Sequence, residues 1–139
     1  MARFFGVSAA LFLVVGGLAM AGGGYPYYAN NAWYSQTSGA YTYYYTQYYY
    51  APQRYHFCYY YPYVSQRYVY YYNPVSRRYW GRFDLQSNKY SMLPENARKE
   101  KLEDIKETDF PEPQALNQIT LPDTELKMTA PPSPPKQKK

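Results

Sequence analysis

The clearest pattern along the chain is a strict alternation. Tyr55, Phe57, Tyr59, Tyr61 and Tyr63 share one parity while His56, Cys58 and Tyr60 share the other, and a period of two is the mark of a β-strand. Pro62 then ends or weakens that strand, or marks a sheet edge. Arg67 to Tyr72 (RYVYYY) is predicted as a second strand from its β-branched and aromatic content, Arg78 to Asp84 (RYWGRFD) as a third, and Tyr90 to Leu93 as a short fourth. The intervening Asn73-Pro74-Val75-Ser76 carries Asn and Pro where a tight turn favours them. Two hairpin registers fit: a two-residue loop pairs Tyr70 with Tyr79, and a three-residue loop pairs Tyr70 with Trp80. Residues 54–93 therefore read as an antiparallel meander, for which three strands are the usual minimum.

The pattern is lost on either side. Residues 22–53 contain Tyr43-Tyr44-Tyr45 and Tyr48-Tyr49-Tyr50 among Gly, Ala, Ser, Thr, Asn and Gln, with no Leu, Ile, Val, Phe or Met. With no aliphatic side chain to offset the entropy of ordering, this zone is expected to be a disordered, self-associating arm. Residues 94–107 (PENARKEKLEDIKE) read as one short helix, with Pro94 in the first turn, a Glu95–Lys99 pair and a Leu102/Ile105 stripe. Residues 108–139, with Phe110-Pro111-Glu112-Pro113 and Pro131-Pro132-Ser133-Pro134-Pro135, read as an extended tail of polyproline character. The expected fold class is a mostly disordered, low-complexity chain carrying a small all-β antiparallel meander of three to four short strands plus one short α-helix.

The first 21 residues stand apart. Arg3 precedes an apolar run from Phe4 to Leu18, and Ala19-Met20-Ala21 supplies the small residues of a signal-peptidase site, with cleavage between Ala21 and Gly22. Left uncleaved, Phe4 to Ala21 is at the short edge of a membrane span, so membrane contact is expected only through this segment. The compartment implied is secreted, periplasmic or cell-envelope.

Composition narrows the chemistry. Of 139 residues 22 are Tyr, while Cys and His occur once each. The length excludes a large enzyme with its own cofactor domain. Residues 22–93 hold six bases against Asp84 alone, whereas residues 94–130 hold nine acids against five bases, so the two parts attract each other. His56 and Cys58 form the single His–thiol pair on one strand face, and a filler Cys beside a His explains them more simply than a nucleophile and its base. One Cys and one His cannot make a zinc site. No catalytic residue, metal or cofactor is expected. Cys58, odd in an exported chain, is either buried as a small hydrophobe or joined to a second copy by an intermolecular disulfide.

Trp80 is the most distinctive single residue. On a strand its same-face neighbours are Arg78 and Arg82, placed to lay guanidinium groups over the indole. Framed by Tyr70, Tyr72 and Tyr79, an exposed Trp80 would grip a sugar ring or a proline; otherwise Trp80 is the core of a small sheet. Basic residues among aromatics also suit single-stranded nucleic acid, but an export signal argues against that partner.

Tyr72-Asn73-Pro74, Tyr79-Trp80-Gly81-Arg82, Tyr90-Ser91-Met92-Leu93, Leu102-Glu103-Asp104-Ile105, Phe110-Pro111-Glu112-Pro113 and Pro131-Pro132 together resemble a group of uncharacterised, secreted, Tyr-rich bacterial proteins. The resemblance covers roughly residues 68–135 and implies one module but no activity. A looser likeness is to WW domains, whose second strand and turn Arg67 to Asn73 looks like. The chain departs from them in having no first Trp, in the closeness of Trp80 to Asn73 and in Gly81. Their surface logic implies that Tyr and Trp on a sheet hold a polyproline segment, and this chain carries one, so docking of residues 110–135 on its own sheet is expected.

The sequence thus points to a non-enzymatic, exported structural or adhesive protein, self-associating or touching cell-surface polymers through tyrosine. The alternative is a small extracellular module recognising a glycan or a proline-rich peptide with an aromatic β-surface.

Overall fold

A computed structural model describes residues 24–137; the expected signal segment and its expected Ala21/Gly22 cleavage site lie outside them. Seven antiparallel strands form one sheet: β1 (Tyr27–Tyr28), β2 (Tyr34–Ser38), β3 (Tyr41–Ala51), β4 (Arg54–Tyr60), β5 (Tyr68–Asn73), β6 (Arg78–Asp84) and β7 (Lys89–Met92). The order is β1-β3-β4-β5-β6-β7, with β2 lying beside β1 on the same edge of β3. The expectation of a mostly disordered chain with a three- to four-stranded meander is therefore wrong. The supposed arm supplies three strands, among them the longest.

Tyrosine does what aliphatic residues were expected to do. Tyr28 and Tyr48 stack with ring centroids 4.1 Å apart, and Tyr71 meets Tyr48 edge-on at 6.0 Å. All three are buried. A buried Tyr removes as much apolar area as a large aliphatic side chain, provided its hydroxyl finds a partner. Here the Tyr71 hydroxyl bonds that of Tyr28 at 2.8 Å, Tyr28 donates to the Thr129 carbonyl at 2.7 Å, and the Tyr48 oxygen accepts from the Thr129 N–H at 2.7 Å.

The two faces of the sheet differ in what lies over them. One carries Thr46, Tyr48, His56, Cys58, Val69, Tyr71, Phe83 and Tyr90, all buried. Ile119, Leu121 and Met128, from the part of the chain expected to be an extended tail of polyproline character docked on the sheet, complete this core with Leu116 and Leu126 at its margin. Farther along, the Trp33 indole N–H donates to the Pro132 carbonyl at 2.8 Å. We call this the covered face. The other face carries the odd-numbered rings of β3 and β4. Residues 93–110 cover only its β5–β6 end, where Leu93 and Ile105 pack on Tyr70 and Tyr79. The chain passes from one face to the other around β7, where Tyr90 and Gln114 exchange two backbone hydrogen bonds of 2.9 Å.

The α-helix expected over 94–107 is absent. Three single 3₁₀ turns (Glu95–Ala97, Leu102–Asp104 and Glu107–Asp109) replace it. The apolar residues Leu93, Ala97, Leu102, Ile105 and Phe110 dock one after another on the open-face cluster, which a single helical stripe could not reach. Backbone groups go to the sheet instead, as when the Tyr79 N–H donates to the Lys99 carbonyl at 2.8 Å. Glu95 bonds Arg78 and Arg98 rather than Lys99.

The β5–β6 register also differs from both expected ones. Tyr70 pairs with Arg82, Tyr71 with Gly81 and Tyr72 with Tyr79, leaving Trp80 as the extra residue of a β-bulge. The loop is longer than anticipated because Asn73 caps it: its side-chain oxygen accepts from the N–H groups of Val75 and Ser76, and Arg77 closes it at φ 58°. The β6–β7 loop repeats the device with Asp84, which accepts from Gln86 and Ser87, and with Asn88 at φ 58°.

Candidate functional site

The bulge decides where the expected site residues go. It turns Trp80 onto the covered face, where the indole lies 4.8 Å from His56 and 5.2 Å from Tyr90 between ring centroids. Gly81 beside it has no room for a side chain: a Cβ there would meet the Ser91 carbonyl and come within 2.6–2.7 Å of the Tyr90 ring. Trp80 is 4% exposed, so it is core rather than a gripping surface, and the proposed frame around it comes apart. Arg82 lies on the opposite face, 3.7 Å over the Tyr68 ring and 4.0 Å over that of Phe110, with Glu107 on its two terminal nitrogens. It fastens residues 107–110 to the sheet and is not free to hold a ligand. Tyr70 lies beneath the same cover, 6.3 Å from Phe110.

Arg78 stays near Trp80. With Asn73, Met92, Arg98 and Asp123 they line a cleft of about 430 Å³ on the covered face. Glu95 already bridges the two guanidinium groups, at 2.8 Å from Arg78 and 3.0 Å from Arg98. Behind the cleft His56 is fully buried, its Nε2 3.4 Å from the Asn73 amide and its Nδ1 without a partner. Burial first, and the Arg98 charge second, bring its pKa down to about 3, so the ring is neutral. Cys58 has no exposed surface, and burial pushes its thiol pKa well up. In the folded chain that thiol cannot reach a second copy, which removes the intermolecular disulfide and leaves burial.

Tyr72 and Tyr79 belong to a different constellation. On the open face they meet edge-on at 5.0 Å, and with Tyr43, Tyr59, Tyr61 and Glu100 they line a second cleft of about 370 Å³. Tyr59 and Tyr61 lie nearly parallel, 13° and 5.7 Å apart, and Tyr43 leans across both at 6.2 and 5.6 Å. Burial, with neighbouring phenols, pushes the pKa of Tyr59 up to about 12 and that of Tyr61 higher still. These phenols are neutral at any ordinary pH. Glu100 is the single acid at the rim.

Beyond this cleft the rings continue without a cover. Tyr61 touches Tyr63, and Tyr63 stacks on Tyr41 at 4.6 Å. In the other direction Phe57, Tyr55, Tyr49 and Tyr27 follow at centroid spacings between 5.1 and 5.9 Å. Tyr27, Tyr41 and Tyr63 are 43%, 57% and 47% exposed. The sequence placed Tyr55 to Tyr63 on one strand face but held no sign of which face the C-terminal half would cover, and so missed Tyr43, Tyr59, Tyr61 and Glu100. No family model, curated protein or solved structure matches the chain, so the site is read from its geometry.

Proposed function

We propose that this is a non-enzymatic, exported contact protein of the cell surface or envelope. On this reading it belongs with the secreted Tyr-rich proteins it resembles and adheres, to itself or to surface polymers, through the open tyrosine face. The observation that carries the reading is the uncovered run of rings from Tyr27 to Tyr41. The chain spends its C-terminal half shielding the other face and one end of this one, yet leaves Tyr27, Tyr41 and Tyr63 exposed and the rings between them half-buried without a cover. A large exposed aromatic patch is a mark of an interaction surface. Export rests on the Arg3–Ala21 pattern.

The test replaces Tyr27, Tyr41 and Tyr63 together with Ser and compares retention on isolated envelope material, and sedimentation of the purified chain, with the parent. All three sit outside the core, so the unfolding midpoint should hold while retention and self-association fall at least roughly tenfold, the effect of losing about 1.4 kcal/mol of contact energy. Unchanged adhesion sinks the reading. The second reading, a module for a neutral glycan or a proline-rich peptide, is favoured by the aromatic lining of the open-face cleft, the kind of surface on which such ligands pack.

A further inference from the structure

The open-face cleft has the makings of a receptor for a positive charge. Its walls are five aromatic rings in several orientations, Tyr59 and Tyr61 near parallel, Tyr43 tilted by 57° and 45° to them, and Tyr72 at 70° to Tyr79. The face of each ring carries the negative lobe of its quadrupole and attracts a cation. Burial keeps the Tyr59 and Tyr61 phenols un-ionised, so their contribution is quadrupolar rather than a full charge.

The remaining lining residue is a carboxylate, and the fold takes some trouble to put it there. Glu100 comes from the covering segment, not from the sheet. The Tyr79 N–H donates to the Lys99 carbonyl at 2.8 Å, and this bond holds the covering segment where the next residue, Glu100, lines the cleft together with Tyr79. Its present partner, Arg77 at 2.7 Å, is not among the lining residues but reaches both Glu100 and the Tyr72 hydroxyl at the cleft's edge. A cation entering the cleft must displace it from Glu100; that pair is 71% and 53% exposed. Exposed pairs of this kind contribute little and exchange readily. No amide or guanidinium lines the cleft, whereas such groups are what fix the hydroxyls of a sugar.

We propose that this cleft binds an ammonium group, quaternary for preference, with the tyrosine rings supplying cation–π attraction and Glu100 the counter-charge. A quaternary centre needs no hydrogen-bond acceptor, and rings converging around such a centre are how choline-type ligands are held. The carrier of the group is either a small solute or a lipid headgroup.

The proposal rests on the reading of the open face as a contact surface, but the two fail separately. Choline is titrated into the full chain and followed by tyrosine ring NMR shifts, beside 3,3-dimethylbutan-1-ol, which replaces the charged nitrogen by carbon at equal shape. Choline should bind about tenfold more tightly than this neutral isostere. Glu100→Gln should weaken choline several-fold and leave the isostere unchanged. Tyr43→Phe should retain binding, and Tyr43→Leu should lose it at an unchanged unfolding midpoint. Equal affinity for the two compounds, absence of choline shifts at Tyr43, Tyr59 and Tyr61, or indifference to both Glu100→Gln and Tyr43→Leu would overturn the proposal. Phosphatidylcholine vesicles that capture the chain in competition with choline assign the headgroup as carrier; choline binding without capture assigns the solute. Failure here with adhesion intact strikes only the cleft, and lost adhesion in the Tyr27/Tyr41/Tyr63 variant with choline binding intact strikes only the wider face.

Discussion

Two buried ionisable side chains, His56 and Asp84, govern how the fold answers to acid, and they do so in successive windows. His56 is held neutral, its pKa down from 6.5 to about 3. Between those values the unfolded chain takes up a proton that the folded chain refuses. Stability is therefore complete above about pH 6.5 and drains away as the pH falls toward 3, by roughly 3–5 kcal/mol. Asp84 acts lower. Its carboxylate receives Arg67 at 3.0 and 2.8 Å and the Gln86 N–H at 2.9 Å, which brings its pKa from 3.8 down to about 2. Its contribution is full above the unfolded value and disappears between 3.8 and 2. Screening of the half-exposed Arg67 holds it to about 1–2 kcal/mol. We expect urea unfolding of the parent chain to weaken steadily from pH 6.5 to 4, and the His56→Gln variant to lose that slope whatever its own stability. A variant whose slope matches the parent's would remove His56 from this role.

At the level of elements, the strands from Arg54 to Met92 were legible because alternation, β-branched enrichment and turn residues all pointed the same way. β6 occupies the span its composition suggests, Arg78–Asp84. The bulge was not legible, since nothing local distinguishes Trp80 from a paired residue. Its setting is tertiary: Gly81 beside it lies against Tyr90 and Ser91 where no side chain fits. The covering segments were misjudged for a related reason. Leu116, Ile119, Leu121, Leu126 and Met128 are too sparse to form a periodic pattern, but each packs into or against the core of the covered face. Ile119, Leu121 and Met128 are almost wholly buried, and side chains so placed contribute about 1.5–3 kcal/mol each. Their sum is comparable to the whole stability of a small domain. A chain ending at Pro113 should therefore lose amide protection throughout β3 and β5 and unfold without a cooperative transition. Protection that survives in those strands would mean that the sheet stands without its cover.

For the molecule as a whole, composition misled where the strand alternation of residues 54–93 did not. A chain with 22 tyrosines and few aliphatics looked unable to bury a core. In fact tyrosine serves two ends: Tyr28, Tyr48, Tyr71 and Tyr90 are buried, while Tyr27, Tyr41 and Tyr63 remain wet. Which fate each meets depends on the parity of its strand position and on which face residues 114–132 come to cover. The first of these can be read locally; the second depends on a segment up to a hundred residues away, as the Tyr28–Thr129 bond shows. The same dependence hid the candidate cleft, since Glu100 joins the rings only through the covering segment.

That the cover comes from the C-terminal end imposes an order in time. A ribosome or an export channel delivers the chain N-terminus first, so all seven strands emerge before Ile119, Leu121 and Met128 exist to shield them. For that interval the strand residues of both faces meet water, with no cover to pack against. A sheet of leucine and valine would aggregate in such a state, whereas phenol hydroxyls keep a bare tyrosine face hydrated. The two tryptophans can time the sequence. Trp80 lies within the sheet, and Trp33 is bonded to Pro132 near the very end. In refolding followed with each of the two single-tryptophan variants, Trp80 and Trp33 should change together, because the sheet does not hold without its cover. The emerging chain must then wait for residues 119–132 before any of the sheet is stable, and a Trp80 change that clearly precedes that of Trp33 would show the sheet standing alone.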